Sequence, residues 1–100
     1  MTAKFVQLLK ATNGKNKYTA VFYDSMRKRI KTTSFGDINY QSYPDHQDLQ
    51  RKQNYLSRHA NEDWTDPQKA GTLSKFLLWN RTTLSASYKD YRQRFKLELY

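Results

Sequence analysis

The spacing of hydrophobic residues changes near Gly36, and this change restricts the fold more than any other feature of the sequence. Before Gly36, residues 17–23 alternate, with Tyr18, Ala20 and Phe22 on one side of the segment. After Gly36, hydrophobic residues recur at intervals of three and four positions. Alternation is typical of a β-strand with one buried face, and the longer intervals are typical of an amphipathic helix. The sequence therefore predicts an α+β fold.

The first third of the sequence predicts a small antiparallel β-meander over about residues 3–36. Strands are expected at residues 4–12, 17–23 and 29–35, where aromatic and β-branched residues are frequent. Asn13 and Gly14 form a strong turn signal because both residue types tolerate a positive φ angle. Asp24 and Ser25 predict the second turn, since their side chains can accept hydrogen bonds from nearby backbone amides. Such a sheet needs helices against one face to be stable.

The rest of the sequence predicts three helices packed on this sheet, at about residues 46–60, 67–80 and 84–97. Asp45 is expected to cap the first helix, and Asp66 followed by Pro67 is expected to begin the second. Thr82 or Thr83 is expected to cap the third. The chain has 100 residues, so we expect a single domain over residues 1–100.

The composition excludes several classes of protein. The chain has no cysteine, which rules out a disulfide framework, a thiolate nucleophile and a cysteine-ligated metal site. Its longest hydrophobic run, residues 76–79, is far shorter than the roughly 20 residues of a membrane-spanning helix. The first residues lack the hydrophobic stretch of a signal peptide, which predicts an intracellular protein that is not secreted by this route.

Basic residues outnumber acidic residues by 18 to 9, and they are unevenly placed. The excess lies in residues 1–36 and 67–100, whereas residues 37–66 carry more acidic than basic side chains. So many cations suit a phosphate backbone or an acidic protein surface, and a merely soluble basic surface is the simpler alternative. The residues expected to bind an anionic partner lie at the two hairpin turns and along one face of the last helix: Lys15, Lys17, Arg27, Lys28, Arg29, Lys31, Lys89, Arg92 and Lys96.

Aromatic residues make up 15% of the chain, and a domain of this size needs many of them for its core. Leu77 and Trp79, in the second predicted helix, are assigned to that core. Tyr40, Tyr43 and Trp64 lie in irregular segments and are candidates for contacts with a partner. Trp64 could equally hold its own loop against the sheet.

The two histidines and a small acidic cluster are candidates for chemistry, but each also has a structural explanation. His46 and His59 match no metal-ligand spacing, and His59 is expected to form a hydrogen bond near the end of its helix. The acidic cluster could hold Mg²⁺ beside a phosphate, as in nucleases, or could cap a helix and solvate a loop; its members are Glu62, Asp63 and Asp66. We therefore expect no catalytic residue, no bound metal and no cofactor. A metal-dependent nuclease that uses His59 is the enzymatic alternative.

Five segments between about residues 18 and 97 carry a resemblance to a known family. They are KTTSFG at 31–36, YLSRH at 55–59, WTDP at 64–67, AGTLSKFLLWN at 70–80 and DYRQRF at 90–95. In this order and spacing they resemble small uncharacterised basic proteins, a domain of unknown function, encoded by large double-stranded DNA viruses of algae and protists. Residues 1–16 lie outside the resemblance, and Thr82 stands where the family is expected to have proline. The resemblance implies a viral setting and no known activity.

Charge and resemblance together predict a non-enzymatic viral protein that is a structural component of the virion. As a minor capsid or capsid-associated protein it would bind acidic surfaces of viral capsid proteins, with the packaged DNA as a further partner. The alternative is a free accessory protein that binds nucleic acid without sequence specificity. The expected location is the virion, or the cytoplasm or nucleus of the infected host cell. The sequence does not set the oligomeric state.

Overall fold

The computed structural model describes residues 2–100 and has the α+β fold that the sequence predicts. The strands are β1 (Phe5–Lys10), β2 (Asn16–Tyr23), β3 (Arg29–Asp37) and β4 (Glu98–Leu99). The helices are α1 (Tyr43–His46), α2 (Leu49–Arg58), α3 (Ala70–Leu73) and α4 (Leu84–Phe95), and a π-helical segment, Ser74–Leu78, continues α3. The strands form one mixed sheet in the order β3-β2-β1-β4.

The predicted meander is present, with β2 antiparallel to both β1 and β3. Its first turn is built by Asn13, whose Oδ1 accepts hydrogen bonds from the backbone N–H groups of Lys15 and Asn16, both at 2.9 Å. Gly14 follows with a φ angle of 74°, a conformation that glycine adopts without steric cost. The turn signal in the sequence is therefore confirmed.

The second turn is built by Asp24, whose Oδ1 accepts hydrogen bonds from the N–H groups of Met26 and Lys28, both at 2.9 Å. Arg27 occupies the left-handed region, with a φ angle of 62°, which costs a non-glycine residue roughly 1–2 kcal/mol. Its guanidinium lies 4.5 Å from the ring centre of Phe5 and 5.3 Å from that of Tyr100. These cation–π contacts offset part of the backbone strain.

The core lies between one face of the sheet and the helices. Val6, Ala20, Phe22 and Phe35 point from the sheet into this core, opposite the buried side chains of Leu73, Leu77 and Tyr91. Two hydrogen bonds to loop carbonyls join the layers. The Tyr91 hydroxyl donates to the backbone oxygen of Pro67 at 2.7 Å, and the Thr33 hydroxyl donates to that of Gln68 at 2.8 Å.

The first predicted helix, 46–60, is interrupted at Gln47, whose φ angle of 51° ends α1. Asp45 is not the cap that the sequence suggests. Its carboxylate accepts a hydrogen bond from the N–H of Ser42, the residue that caps α1. Asp48 caps the longer helix α2, because its Oδ1 accepts from the N–H groups of Gln50 and Arg51. The chain thus begins two short helices in this region, one capped by Ser42 and the other by Asp48.

The second predicted helix, 67–80, begins later than expected. The Asp66 carboxylate accepts a hydrogen bond from the N–H of Gln68, so Asp66 and Pro67 form a turn, and α3 starts at Ala70. Phe76, Leu77 and Leu78 are three consecutive buried residues in the π-helical segment. One stripe of a regular α-helix does not bury three successive side chains, whereas the wider i→i+5 turn changes their directions.

The last predicted helix, 84–97, is present but ends at Phe95. Thr83 caps it, as its hydroxyl oxygen accepts from the N–H of Ala86 at 3.2 Å. Lys96 has a φ angle of 55°, which turns the chain back toward the sheet. Glu98 then pairs with Phe5 in a short strand parallel to β1. A two-residue strand has no alternation that could have been recognised in the sequence.

Replacement of Lys96 by glycine is expected to raise the free energy of unfolding by about 1 kcal/mol, because glycine tolerates the left-handed conformation that ends a helix. Lys89→Gly is the matched control, since it removes the same charge from the interior of α4. That change is expected to lower the free energy of unfolding by about 1 kcal/mol. Urea denaturation measures both, and equal destabilisation by the two variants would contradict the assigned end of α4.

Candidate anion-binding surface

A group of cationic side chains surrounds the second turn of the meander. Lys28, Arg29 and Lys31 are exposed, and no ion pair within residues 2–100 neutralises them. Together with Arg27 they form what we call the cationic hairpin. Because Asp24 fixes the turn and Arg27 packs on two rings, these charges are displayed from an ordered backbone.

Lys15 and Lys17 do not join the cationic hairpin. The two turns of a meander lie at opposite ends of its middle strand, so Lys15, at the first turn, is exposed far from Arg27. The ammonium of Lys17 lies 3.3 Å from the Asp45 carboxylate, and its side chain is only 18% exposed. The pKa of Asp45 is lowered, first by the hydrogen bond from the Ser42 backbone and then by those from the Ser42 hydroxyl and Lys17. Lys17 therefore fastens the α1 turn to the sheet.

The three basic residues predicted on one face of the last helix, α4, differ in their exposure. Lys89 and Lys96 are exposed. Arg92 is half-buried, with its guanidinium 5.0 Å from the ring centre of Tyr88. Lys96 precedes β4, which pairs with the beginning of β1. That end of β1 also pairs with Tyr23, just before the cationic hairpin, so Lys96 and the cationic hairpin share one end of the sheet.

The predicted interface aromatics differ in their exposure. Tyr40 is 68% exposed in the loop after β3. Tyr43 is half-buried, and the Lys52 ammonium lies 4.9 Å from its ring centre. Trp64 packs against the core from the loop before α3, with the Lys75 ammonium 3.9 Å from its ring centre. Burial, followed by the charge of Arg94, lowers the pKa of Lys75. Tyr40 is therefore the most accessible of the three.

A cleft of about 580 Å³ lies between the loop after β3 and α2, and no sequence pattern predicted it. Arg51 and Arg58 project along its α2 wall, and Lys17 lies on its sheet side. Tyr55 and Trp79 also line it, with their rings stacked at 4.5 Å and 7°. The sequence signal available for the cleft was the spacing of Arg51 and Arg58, which places both on one face of α2. The other residues that line the cleft come from distant segments of the chain.

Comparison with known proteins identifies one family. A model of a family of unknown function, DUF5754, matches residues 6–59, which is more than half of the chain. The chain belongs to this family. No curated protein and no solved structure matches the chain at a significant level. The DUF5754 match begins in β1 and ends just after α2, so it contains the cationic hairpin and the α2 wall of the cleft, and α4 follows it.

Both histidines take part in local contacts within or beside the DUF5754 segment. His59 ends α2, and its Nδ1 pairs with the carboxylate of Glu62, which confirms the expected hydrogen bond. His46 Nδ1 accepts from the N–H of Asp48 at 2.9 Å. The Asp63 carboxylate accepts from the N–H of Thr65 at 2.9 Å; hydrogen bonds from the Thr65 hydroxyl and backbone lower its pKa. In residues 2–100, no group of three or more histidine or acidic side chains could hold a metal ion.

The helices of the described chain are short. Among residues 2–100, none is long and apolar enough to cross a membrane. The longest, α4, has 12 residues.

Proposed function

We propose that this chain is a non-enzymatic structural component of the particle of a large double-stranded DNA virus. As a minor capsid or capsid-associated protein it binds acidic surfaces of capsid proteins, and it contacts the packaged genome. The viral setting rests on the sequence resemblance. The binding role rests on one structural observation, the cationic hairpin, whose exposed charges are not neutralised by ion pairs within residues 2–100.

The order of the cationic hairpin supports a binding role over a merely soluble surface. Binding immobilises side chains and loops, and this lost freedom opposes association. Here the turn is already fixed by the Asp24 carboxylate, so much of the backbone ordering is complete before a partner arrives. In addition, Arg27 adopts a backbone conformation that favours glycine. A cation at this position of the turn therefore costs backbone strain.

Quantitative mass spectrometry of purified virus particles tests this proposal. We expect the chain in a fixed ratio to the major capsid protein, and retained after external proteins are removed by washing. Its absence from washed particles, with abundance in infected-cell cytoplasm or nucleus, would contradict a structural role and favour the second candidate below.

The second candidate is a free accessory protein that binds nucleic acid without sequence specificity. It is favoured by the placement of Lys96 and Lys4 at the same end of the sheet as the cationic hairpin, since the Lys4 N–H bonds to the Tyr23 oxygen at 2.8 Å. Six cations, the four of the cationic hairpin with Lys4 and Lys96, thus lie at this end of the sheet. If all contact phosphates of duplex DNA, the logarithm of the association constant should fall with the logarithm of salt concentration at a slope of about −5.

Replacement of Lys28 and Arg29 by glutamine is expected to make this slope less negative by about 2, because two phosphate contacts are lost. Arg51→Gln with Arg58→Gln is the matched control: it removes the same charge from the cleft, and it should leave the slope unchanged. Binding to labelled duplex DNA over a range of salt concentrations measures both. An equal change in the two variants would show that total charge, and not the cationic hairpin, governs binding. Both variants should unfold at nearly the wild-type urea concentration, since all four side chains are exposed.

A further inference from the structure

Within residues 2–100, the buried core cluster occupies only one face of the sheet. The buried residues of β1–β3 that belong to the core alternate along the strands, so the residues between them point to the opposite side. We call this second side the open face; its residues on β1–β3 include Phe5, Gln7, Leu9, Thr19, Val21, Tyr23, Arg29, Thr32 and Ser34. None of them belongs to the core cluster of the described chain. Val21 is buried within this face, and Leu9 is 43% exposed.

Aromatic rings collect at the end of the open face next to the cationic hairpin. The rings of Tyr23 and Tyr100 stack with centres 3.5 Å apart and planes at 9°. The Tyr23 hydroxyl donates to Gln7 Oε1 at 2.9 Å, which holds the Tyr23 ring against β1. Tyr100 is 46% exposed, and the Arg27 guanidinium lies within 5.3 Å of the ring centres of both Tyr100 and Phe5. The result is a preformed stack of flat groups at the surface.

The charges around the open face are almost all positive. Its residues on β1–β3 include no carboxylate, and the cationic hairpin borders it. Glu98, on the edge strand β4, pairs with Phe5, but the Lys4 ammonium lies 3.7 Å from its carboxylate. A partner on this face therefore meets flat rings, uncharged hydrogen-bonding groups and a cationic border.

These features fit one class of partner better than others. An acidic protein surface complements the cations but leaves the stacked rings unused. Duplex DNA also complements the cations, but its base faces are stacked inside the helix. Single-stranded nucleic acid presents both phosphates and unstacked bases, which bind flat aromatic and guanidinium groups. Hydroxyl groups such as those of Thr19 and Ser34, whose oxygens are 3.0 Å apart, can bond to base edges.

We propose that the open face binds single-stranded nucleic acid, with bases stacked on Tyr100 and the neighbouring rings and with phosphates along the cationic hairpin. This proposal rests on the second candidate function, the binding of nucleic acid without sequence specificity, and names its ligand class. It assigns to Tyr100 and Arg27 a role in base stacking, and to Lys28 and Arg29 a role in phosphate binding.

Fluorescence anisotropy with a short dye-labelled oligothymidylate tests the proposal, with the full chain as the protein. Wild-type protein should bind the single strand more tightly than a duplex of equal charge. Tyr100→Ala should weaken this binding about 5- to 100-fold, as expected for the loss of a base–aromatic stack, without changing the salt slope. Tyr100→Phe should retain most of the affinity. The matched control is Tyr40→Ala, a change at another exposed tyrosine away from the open face, and it should bind as wild type.

Two results would overturn the proposal. One is equal binding of wild type and Tyr100→Ala to the oligothymidylate, when urea denaturation shows both to be folded. The other is displacement of the strand by polyglutamate at equal charge concentration, which would show that any polyanion suffices and favour an acidic protein partner. Neither result removes the virion role, because that role is tested by the content of purified particles. Conversely, absence from particles with intact Tyr100-dependent binding would overturn the virion role alone.

Discussion

Leu77→Ala is expected to lower the free energy of unfolding by about 2–5 kcal/mol, measured by urea denaturation. Leu77 is 0% exposed and lies in the π-helical segment between α4 and the sheet. Its truncation removes buried methyl groups and leaves a cavity that a closely packed core refills only in part. A small domain has a total stability of only about 5–15 kcal/mol, so this single change should leave a large unfolded fraction at moderate urea concentration.

Leu49→Ala is the control for this prediction. Leu49 is 56% exposed at the start of α2, so its truncation should change the stability by less than about 0.5 kcal/mol. Similar effects of the two substitutions would mean that the π-helical segment is not part of the core. The position of Trp79 and the shape of the cleft would then be wrong as well.

Gly36→Ala is expected to be the most damaging methyl addition, with a loss of about 2–5 kcal/mol of stability. Gly36 has a φ angle of 78°, and a Cβ atom at this position would lie 2.7 Å from Leu78 Cδ1 and 3.3 Å from Lys17 Cβ. The backbone conformation alone costs alanine roughly 1–2 kcal/mol. Overpacking against the buried Leu78 adds about 1–3 kcal/mol.

Gly14→Ala separates the two causes. Gly14 has nearly the same φ angle, 74°, but no atom lies within 4 Å of the position that its Cβ would take. Gly14→Ala should therefore lower the free energy of unfolding only by the backbone contribution of about 1–2 kcal/mol. Equal losses at Gly14 and Gly36 would contradict the close approach of β3 to the π-helical segment, since strain alone would then explain both.

The β-meander was predictable because its signals are local. The side chains of Asn13 and Asp24 accept hydrogen bonds from backbone groups within their own turns. The alternation of Tyr18, Ala20 and Phe22 needs no information from other segments. The three helical regions were also predictable. The residues at which each helix begins and ends were less so, because they depend on tertiary contacts.

Other parts of the fold required the tertiary structure. β4 forms because Lys96 adopts a left-handed conformation and brings Glu98 beside Phe5. The π-helical turn depends on three consecutive side chains that all reach the core. Neither arrangement leaves a periodic pattern in the sequence.

The candidate anion-binding surface was predictable where its residues lie close together in the sequence. Lys28, Arg29 and Lys31 follow directly from one turn and are exposed as expected. The ion pair of Lys17 with Asp45 could not be predicted from the position of Lys17 beside a turn, because Asp45 comes from a distant segment. Tyr100 gained its position only through β4, so its stack on Tyr23 could not have been inferred from spacing.

Carbodiimide cross-linking of intact virus particles tests the central claim most directly, because this reagent joins lysine to carboxylates only where the two are in contact. The chain supplies internal controls. Lys17 with Asp45, at 3.3 Å, and Lys4 with Glu98, at 3.7 Å, should form links within the chain in any sample. We predict further links from Lys28 and Lys31 to acidic residues of a capsid protein. Recovery of the internal links, with Lys28 and Lys31 joined to no other protein, would contradict the proposed role of the cationic hairpin.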